Sequence, residues 1–418
     1  MRTFVYLIFI LLLSVSLQSN AQNYPPPTGV YCSCAPTTGM GNGSVDPSVA
    51  AKPFVKGILV RVPWNLLEPT DNNYTWTLID GQITAAKKYG KKISLGIGNG
   101  PAVPDWLFDK GAERLIATVP KTDTIAMPWD SIYLAQWSEF VAALGNQYKN
   151  DTTIQLVYIS NSTSNGFEMQ LPFQSIPTLA DAGYTDEKMT ASWKVCIDAF
   201  NAAFPNHYLS NDFHPVNGSD AVADSVYAYA TATIGSRYGA NAWWWTQKNA
   251  KTVYPAQYVI SQRSAKDNKF TGVQFANNGT ADSAKFGEGG MPGALQLAID
   301  DGICYWEIWN QDILNPKFEQ LLTDAKCKTG TTYINENVST ANVTLYPNPA
   351  QNVLYIEGSE VQAPFSISII SLTGKTVFSS DALALHHSIN TQQLAQGFYI
   401  AVLKSNSTIN RIKFRVDR

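Results

Sequence analysis

Eight short apolar runs, alternating with segments of helical periodicity, constrain this chain more than any other feature. The runs cover residues 29–35, 57–62, 92–98, 154–160, 207–212, 240–245, 272–276 and 303–308. Helical stretches at 78–89, 133–148, 191–203 and 293–300 lie between them, and 317–325 supplies a closing helix. Alternation of strand and helix implies a parallel sheet, because each strand must be reached through a crossover. The run at 57–62 is apolar on both faces except for Arg61, as expected of a strand covered on each side. Eight such units predict an α/β fold, a (β/α)8 TIM barrel, which needs about 250 residues. Residues 22–330 accommodate it with long loops.

The ends of the chain read differently. Residues 1–21 have the pattern of a secretory signal: Arg2, an apolar run over 5–15, then Ser19-Asn-Ala21 before a cut near Ala21 or Gln22. That run is too short for a membrane span, and no other segment is long and apolar enough, so no transmembrane segment is expected after signal removal. Residues 331–342 are polar and aperiodic and read as a linker. Residues 343–418 contain no tryptophan or cysteine and show short alternating strands, predicting a small all-β, immunoglobulin-like sandwich. Within it, residues 366–378 form two strands around a Thr-Gly-Lys turn.

Two resemblances follow from particular motifs. The run Gly57-Ile-Leu-Val-Arg-Val-Pro-Trp-Asn-Leu-Leu-Glu-Pro69 and the pair Lys92-Ile-Ser-Leu-Gly-Ile-Gly98 and Pro101-Ala-Val-Pro-Asp-Trp-Leu107 resemble the second and third barrel strands of clan A glycoside hydrolases, especially family-42-like β-galactosidases. The resemblance implies a hydrolase acting on a poly- or oligosaccharide. It places an acid/base glutamate after the fourth strand and a nucleophile after the seventh. Leu345-Tyr-Pro-Asn-Pro-Ala350, Leu372-Thr-Gly-Lys375, Leu394-Ala-Gln-Gly-Phe-Tyr399 and the basic terminal strand resemble the type IX secretion sorting domain. That implies the type IX machinery as a partner, with export to the medium or the outer cell surface.

Glycoside hydrolysis needs two carboxyl groups flanking the scissile bond. Glu168, in the segment after the fourth strand, is the acid/base candidate, although the family's adjacent Asn-Glu pair is absent: Asn165 precedes it by three, and Asn161 lies nearer the strand end. The seventh strand carries no acid, which leaves Glu288 in a glycine-rich loop and Glu307 on the last strand. Glu307 is preferred, because a strand holds a carboxylate more stiffly than a glycine loop. Arg61 and Glu307 sit at strand ends flanking strand one and are expected to converge, the guanidinium holding the carboxylate ionised and orienting it through paired hydrogen bonds. Trp64, Asn99, Trp106, Asp212, His214, Trp306 and Trp309 also stand near predicted C-terminal strand ends and are candidates for sugar contacts. In Trp243-Trp-Trp245, alternation sends Trp243 and Trp245 to one side as a possible sugar platform. Each of these residues has an ordinary alternative in packing, turn capping or ion pairing. The other reading of the whole is a non-catalytic carbohydrate-binding barrel.

Several chemistries fit poorly. A net charge of −3 with 15% charged residues offers no basic stripe for nucleic acid. There is no Gly-x-Ser-x-Gly elbow and no phosphate loop. Two barrel histidines, His207 and His214, are too few for a typical zinc hydrolase, so neither metal nor cofactor is expected. Five cysteines leave at least one thiol unpaired; Cys32 and Cys34 alternate on one strand and core packing is the expected role, with Cys304 or Cys196 open to pairing with a neighbour in the fold.

Overall fold

Eight parallel strands hydrogen-bond into a closed ring in the computed structural model: β1 (Gly29–Ser33), β2 (Val55–Pro63), β3 (Lys92–Gly98), β4 (Ile154–Tyr158), β5 (Tyr208–Asp212), β6 (Tyr238–Trp245), β7 (Gly272–Phe275) and β8 (Tyr305–Trp309). The described residues are 24–33, 44–119, 122–267, 270–280, 283–327, 343–358, 365–371, 376–383, 387–404 and 409–418. The signal-peptide reading, Cys34, the linker and the Thr-Gly-Lys turn lie outside them. Each strand sits where an apolar run was expected. β1 closes against β8, with Cys32 opposite Ile308, and against β2, with Cys32 opposite Ile58.

The outer ring consists of α1 (Thr77–Lys88), α2 (Ser131–Tyr148), α3 (Asp186–Ala203), α4 (Ala221–Ile234), α5 (Pro255–Lys266), α6 (Gly290–Asp300) and α7 (Pro316–Asp324). α2 shows why these segments are helical. Asp130 caps its start by accepting from Tyr133 N at 2.7 Å. Tyr133, Trp137, Phe140, Val141, Leu144 and Tyr148 then recur at helical spacing and are all buried. The outer faces of the strands and the inner faces of these helices share one large core. The inside of the barrel is a separate cluster of Tyr31, Leu59, Leu156, Tyr158, Trp243, Phe270 and Tyr305.

An outer sheet of Arg114–Ala117, Asp123–Ala126 and Ser175–Ile176 joins the segments after β3 and β4. Cys304 and Cys327 form a disulfide that ties the start of β8 to the segment after α7. Cys32 and Cys196 are buried in the core.

Contacts divide the chain into two units, Met1–Lys328 and Thr329–Arg418. The second has strands β9 (Val343–Tyr346), β10 (Val353–Gly358), β11 (Phe365–Ser371), β12 (Thr376–Leu383), β13 (His387–Asn390), β14 (Gly397–Lys404) and β15 (Ile409–Val416). They form antiparallel sheets β9-β10-β13 and β12-β11-β14-β15. Leu354, Ile356, Ile367, Ile369, Ile389, Ala401 and Phe414, from both sheets, share its core.

Candidate active site

Alternation along β8 turns Tyr305 and Glu307 into the barrel and Trp306 and Ile308 towards the helices. Glu307 has no solvent exposure. Its Oε1 accepts hydrogen bonds from the hydroxyls of Tyr158 (2.6 Å) and Tyr305, and its Oε2 accepts from Gln274 Nε2 at 2.7 Å. Tyr31 and Gln274 are its cross-strand neighbours on β1 and β7. The Tyr158 hydroxyl accepts from Asn241 Nδ2 at 2.7 Å, and Tyr305 meets Ser94 Oγ at 2.6 Å. Burial raises the proton affinity of Glu307; the Tyr158 and Tyr305 donors, then the Arg61 charge and Gln274, oppose that, and the net direction is upward.

Arg61 is 5% exposed and donates to Ser33 Oγ at 3.0 Å, while its Nε has no partner. Its guanidinium lies 4.7 Å from the Trp243 ring and 5.8 Å from the Phe167 ring. Burial pulls the Arg61 pKa down, opposed by Glu307, Tyr158 and Glu168. The expected convergence of Arg61 and Glu307 is therefore electrostatic. The expected paired hydrogen bonds are absent, because Tyr158, Tyr305 and Gln274 already satisfy the carboxylate, and Glu307 is not held in its ordinary range.

The segment after β4 folds back over the mouth. Gly166, at φ 78°, lies against the Asn99 backbone, where a Cβ would sit 2.3 Å from the carbonyl oxygen. Gly100, at φ 56°, lies against the Thr163 carbonyl in the same way. This backbone-on-backbone contact seats Phe167 above Gly96 and Gly98 of β3, where side chains are missing. Asn165 shapes the turn by accepting from Phe167 N at 3.0 Å and Glu168 N at 2.9 Å.

Glu168 is 27% exposed, and its Oε2 lies 3.8 Å from His214 Nε2. His214 Nδ1 donates to Asp212 Oδ2, and Asp212 Oδ1 accepts from Trp243 N at 2.6 Å. Burial raises the Glu168 pKa; His214 opposes it, Asp212 adds to it, and the net direction is upward. Burial disfavours charge on His214, but Asp212 and Glu168 outweigh that and hold its pKa above the ordinary imidazole value.

The remaining expected site residues are spread more widely. Trp64 is fully buried outside the barrel against Trp137 and Phe140, with Nε1 donating to Glu68. Trp106 is partly buried beside it. Asn99 and Asn161 point away from the mouth: Asn99 Nδ2 donates to the Tyr133 hydroxyl, which donates to Asn161 Oδ1, and Asn161 Nδ2 donates to Ser192. Trp243 faces the barrel, with Nε1 lying towards the Tyr158 hydroxyl but making no aligned bond. Trp245 does not accompany it. An irregularity in the β6–β7 pairing puts Trp245, like Trp244, in the outer core, because one extra residue reverses the alternation. Trp306 is also in the outer core, and Trp309 is partly buried with Nε1 on Phe275 O. Glu288 is exposed just before α6. Residues overlooked in the sequence are Tyr158, Tyr305, Gln274, Asn241 and Phe167. Only Tyr305 carries a readable signal, since inward alternation places it on the same face as Glu307.

Among the described residues, no group of three or more His, Cys, Asp and Glu is arranged to hold a metal ion. A surface groove of about 280 Å³ between α3 and α4 is lined by Asp186, Glu187, Lys194 and Ser225 and contains neither Glu168 nor Glu307.

Part of the barrel has a counterpart among known families. Residues 57–195 match the β-galactosidase family, glycoside hydrolase family 42. Residues 344–416 match the secretion system C-terminal sorting domain. A glycoside-hydrolase-type barrel is thus joined to a sorting tail. The tail implies export by type IX secretion to the cell surface or the medium. Among solved structures, a glycoside hydrolase is 11% identical, with 68% of this chain and 88% of that chain covered and a TM-score of 0.45. Xylanase 10B from Thermotoga petrophila RKU-1, in complex with xylobiose, is 9% identical over 60% of this chain and 73% of its own, at a TM-score of 0.38. PorZ, a surface component of the type-IX secretion system of Porphyromonas gingivalis, is 22% identical over 18% of this chain; only 12% of PorZ is covered, at a TM-score of 0.16. No curated protein matches the chain. No helix among the described residues is long and apolar enough to cross a membrane.

Proposed function

We propose that this protein is an exported glycosidase in which Glu168 is the general acid/base and Glu307 the second carboxylate. One arrangement carries the reading: Glu307 points into the barrel from β8, Glu168 reaches the mouth from the loop after β4, and both lie near enough to the buried Arg61 to influence its charge. The raised pKa of Glu168 suits a group that must hold a proton before giving it to a leaving oxygen. Phe167, half-buried beside Arg61, offers aromatic surface for a sugar ring. β-Galactosides are the first substrate class to test, because the family match spans Glu168. The test is product release by the purified full chain from a panel of β-galactosides and polysaccharides. Loss of that release in Glu168→Gln, with the fold retained, supports the assignment.

A second reading rests on the complete burial of Glu307, which Tyr158, Tyr305 and Gln274 cover inside the barrel. If that cover does not open, the barrel binds carbohydrate at its mouth without cleaving it. Calorimetric binding of a glycan with no product formed, together with wild-type affinity in Glu307→Gln, distinguishes this outcome. Glu288 serves as the second carboxylate only if its removal, and not that of Glu307, abolishes turnover.

A further inference from the structure

We infer that Asp212 and His214 form a positioning pair that orients Glu168 and sets the pH range over which it keeps its proton; this rests on Glu168 being the acid. His214 is 2% exposed and Asp212 1%. Both Asp212 oxygens are occupied, Oδ1 by Trp243 N and Oδ2 by His214 Nδ1. They are therefore poorly placed as ligands for sugar hydroxyls, the role expected from sequence. The imidazole is clamped, since Asp212 holds one edge and the Tyr254 ring packs across it at a centroid distance of 4.9 Å. Its other nitrogen faces Glu168.

The charged and titratable groups around this nitrogen are few. Asp212 comes from β5, Glu168 from the loop after β4, and Tyr254 from the residue before α5. Arg61 of β2 also acts on Glu168 and favours its charged form. With Nδ1 donating its proton to Asp212, Nε2 faces the Glu168 carboxyl group across 3.8 Å, with or without a proton of its own. The two groups thus titrate as a pair. A cation at Nε2 lowers the proton affinity of Glu168, against the upward pull of burial.

The deciding experiment is an NMR titration of the full chain labelled with 15N-histidine, comparing wild type with Glu168→Gln. The His214 midpoint is expected to fall by about one pH unit in the variant, because an opposite charge at this range is worth roughly 1–3 units. An unchanged midpoint overturns the inference, whatever the substrate proves to be. A pH profile of kcat/KM adds a catalytic readout with lactose and with 4-nitrophenyl β-galactoside, whose leaving group needs no acid. His214→Gln should move the basic limb for lactose up by about one unit and leave the nitrophenyl substrate nearly unaffected. If Glu168→Gln cleaves lactose like wild type, the assignment of Glu168 as acid falls. If that variant is crippled while His214→Gln keeps the wild-type limb, only the pairing falls.

Discussion

At the scale of single residues, the two glutamates live in different environments despite sharing Arg61. Glu307 is buried and held by three neutral donors, whereas Glu168 is partly exposed beside an imidazole. A buried carboxyl with a raised pKa is uncharged in both folded and unfolded chains at low pH. As pH rises past the ordinary glutamate value of about 4.3, the unfolded chain releases its proton first, so stability falls until the folded pKa is passed. Glu307→Gln should therefore flatten the decline in stability as pH rises through this window, measured by urea unfolding at successive pH values. A variant that declines as steeply as wild type would mean that Glu307 is already ionised in the fold. Glu168→Gln should lower turnover of a substrate with a poor leaving group by at least ~10²-fold, the usual worth of general acid help. Unchanged turnover would remove Glu168 from the chemistry.

Elements bring these residues together through backbone contact. The loop after β4 carries Phe167 and Glu168 to the mouth because Gly166 lets it touch the Asn99 backbone. Gly90 makes a useful control: it has a similar φ of 64°, but nothing lies within 4 Å of its Cβ position. Gly90→Ala should cost about 1–2 kcal/mol, the penalty of left-handed backbone alone. Gly166→Ala adds a clash with backbone that cannot swing aside, and should lower both stability and turnover by clearly more. Equal unfolding midpoints for the two variants would show that the loop is not seated by this contact. Helices α2 and α3 meet as closely at Gly145, where a Cβ would lie 2.6 Å from Ala203.

For the whole molecule, the disulfide lies wholly within the first of the two units. Cys304–Cys327 spans 23 residues and tethers the segment after α7 to the start of β8, worth about 3 kcal/mol for a loop of this size in the chain-entropy account. Cys327→Ser should lower barrel stability by roughly that amount, read from denaturant unfolding under non-reducing conditions. Truncation after Gly330 keeps Cys327 with the barrel. The shortened chain should fold with a wild-type barrel melting transition but remain in the periplasm. Unfolding of the truncated barrel would reject this boundary, and normal export would reject the sorting role of the tail.

The strand and helix order, the barrel and the sandwich were legible in the sequence because each depends on local periodicity and on the apolar faces it creates. Glu307 was legible for a related reason: an acid in an apolar strand needs partners. Those partners were not, because Tyr158, Gln274 and Asn241 lie on strands far apart in sequence that barrel closure makes neighbours. Alternation alone assigned Trp243 and Trp245 to one face; the irregular β6–β7 pairing, a property of the sheet, separated them. Arg61 was expected to bond Glu307, but only packing decides which donor reaches a buried oxygen, and the tyrosines reach it first. The cover of Phe167 over the mouth and the pairing of Cys304 with Cys327 likewise depend on close approach between distant segments, which tertiary structure alone decides.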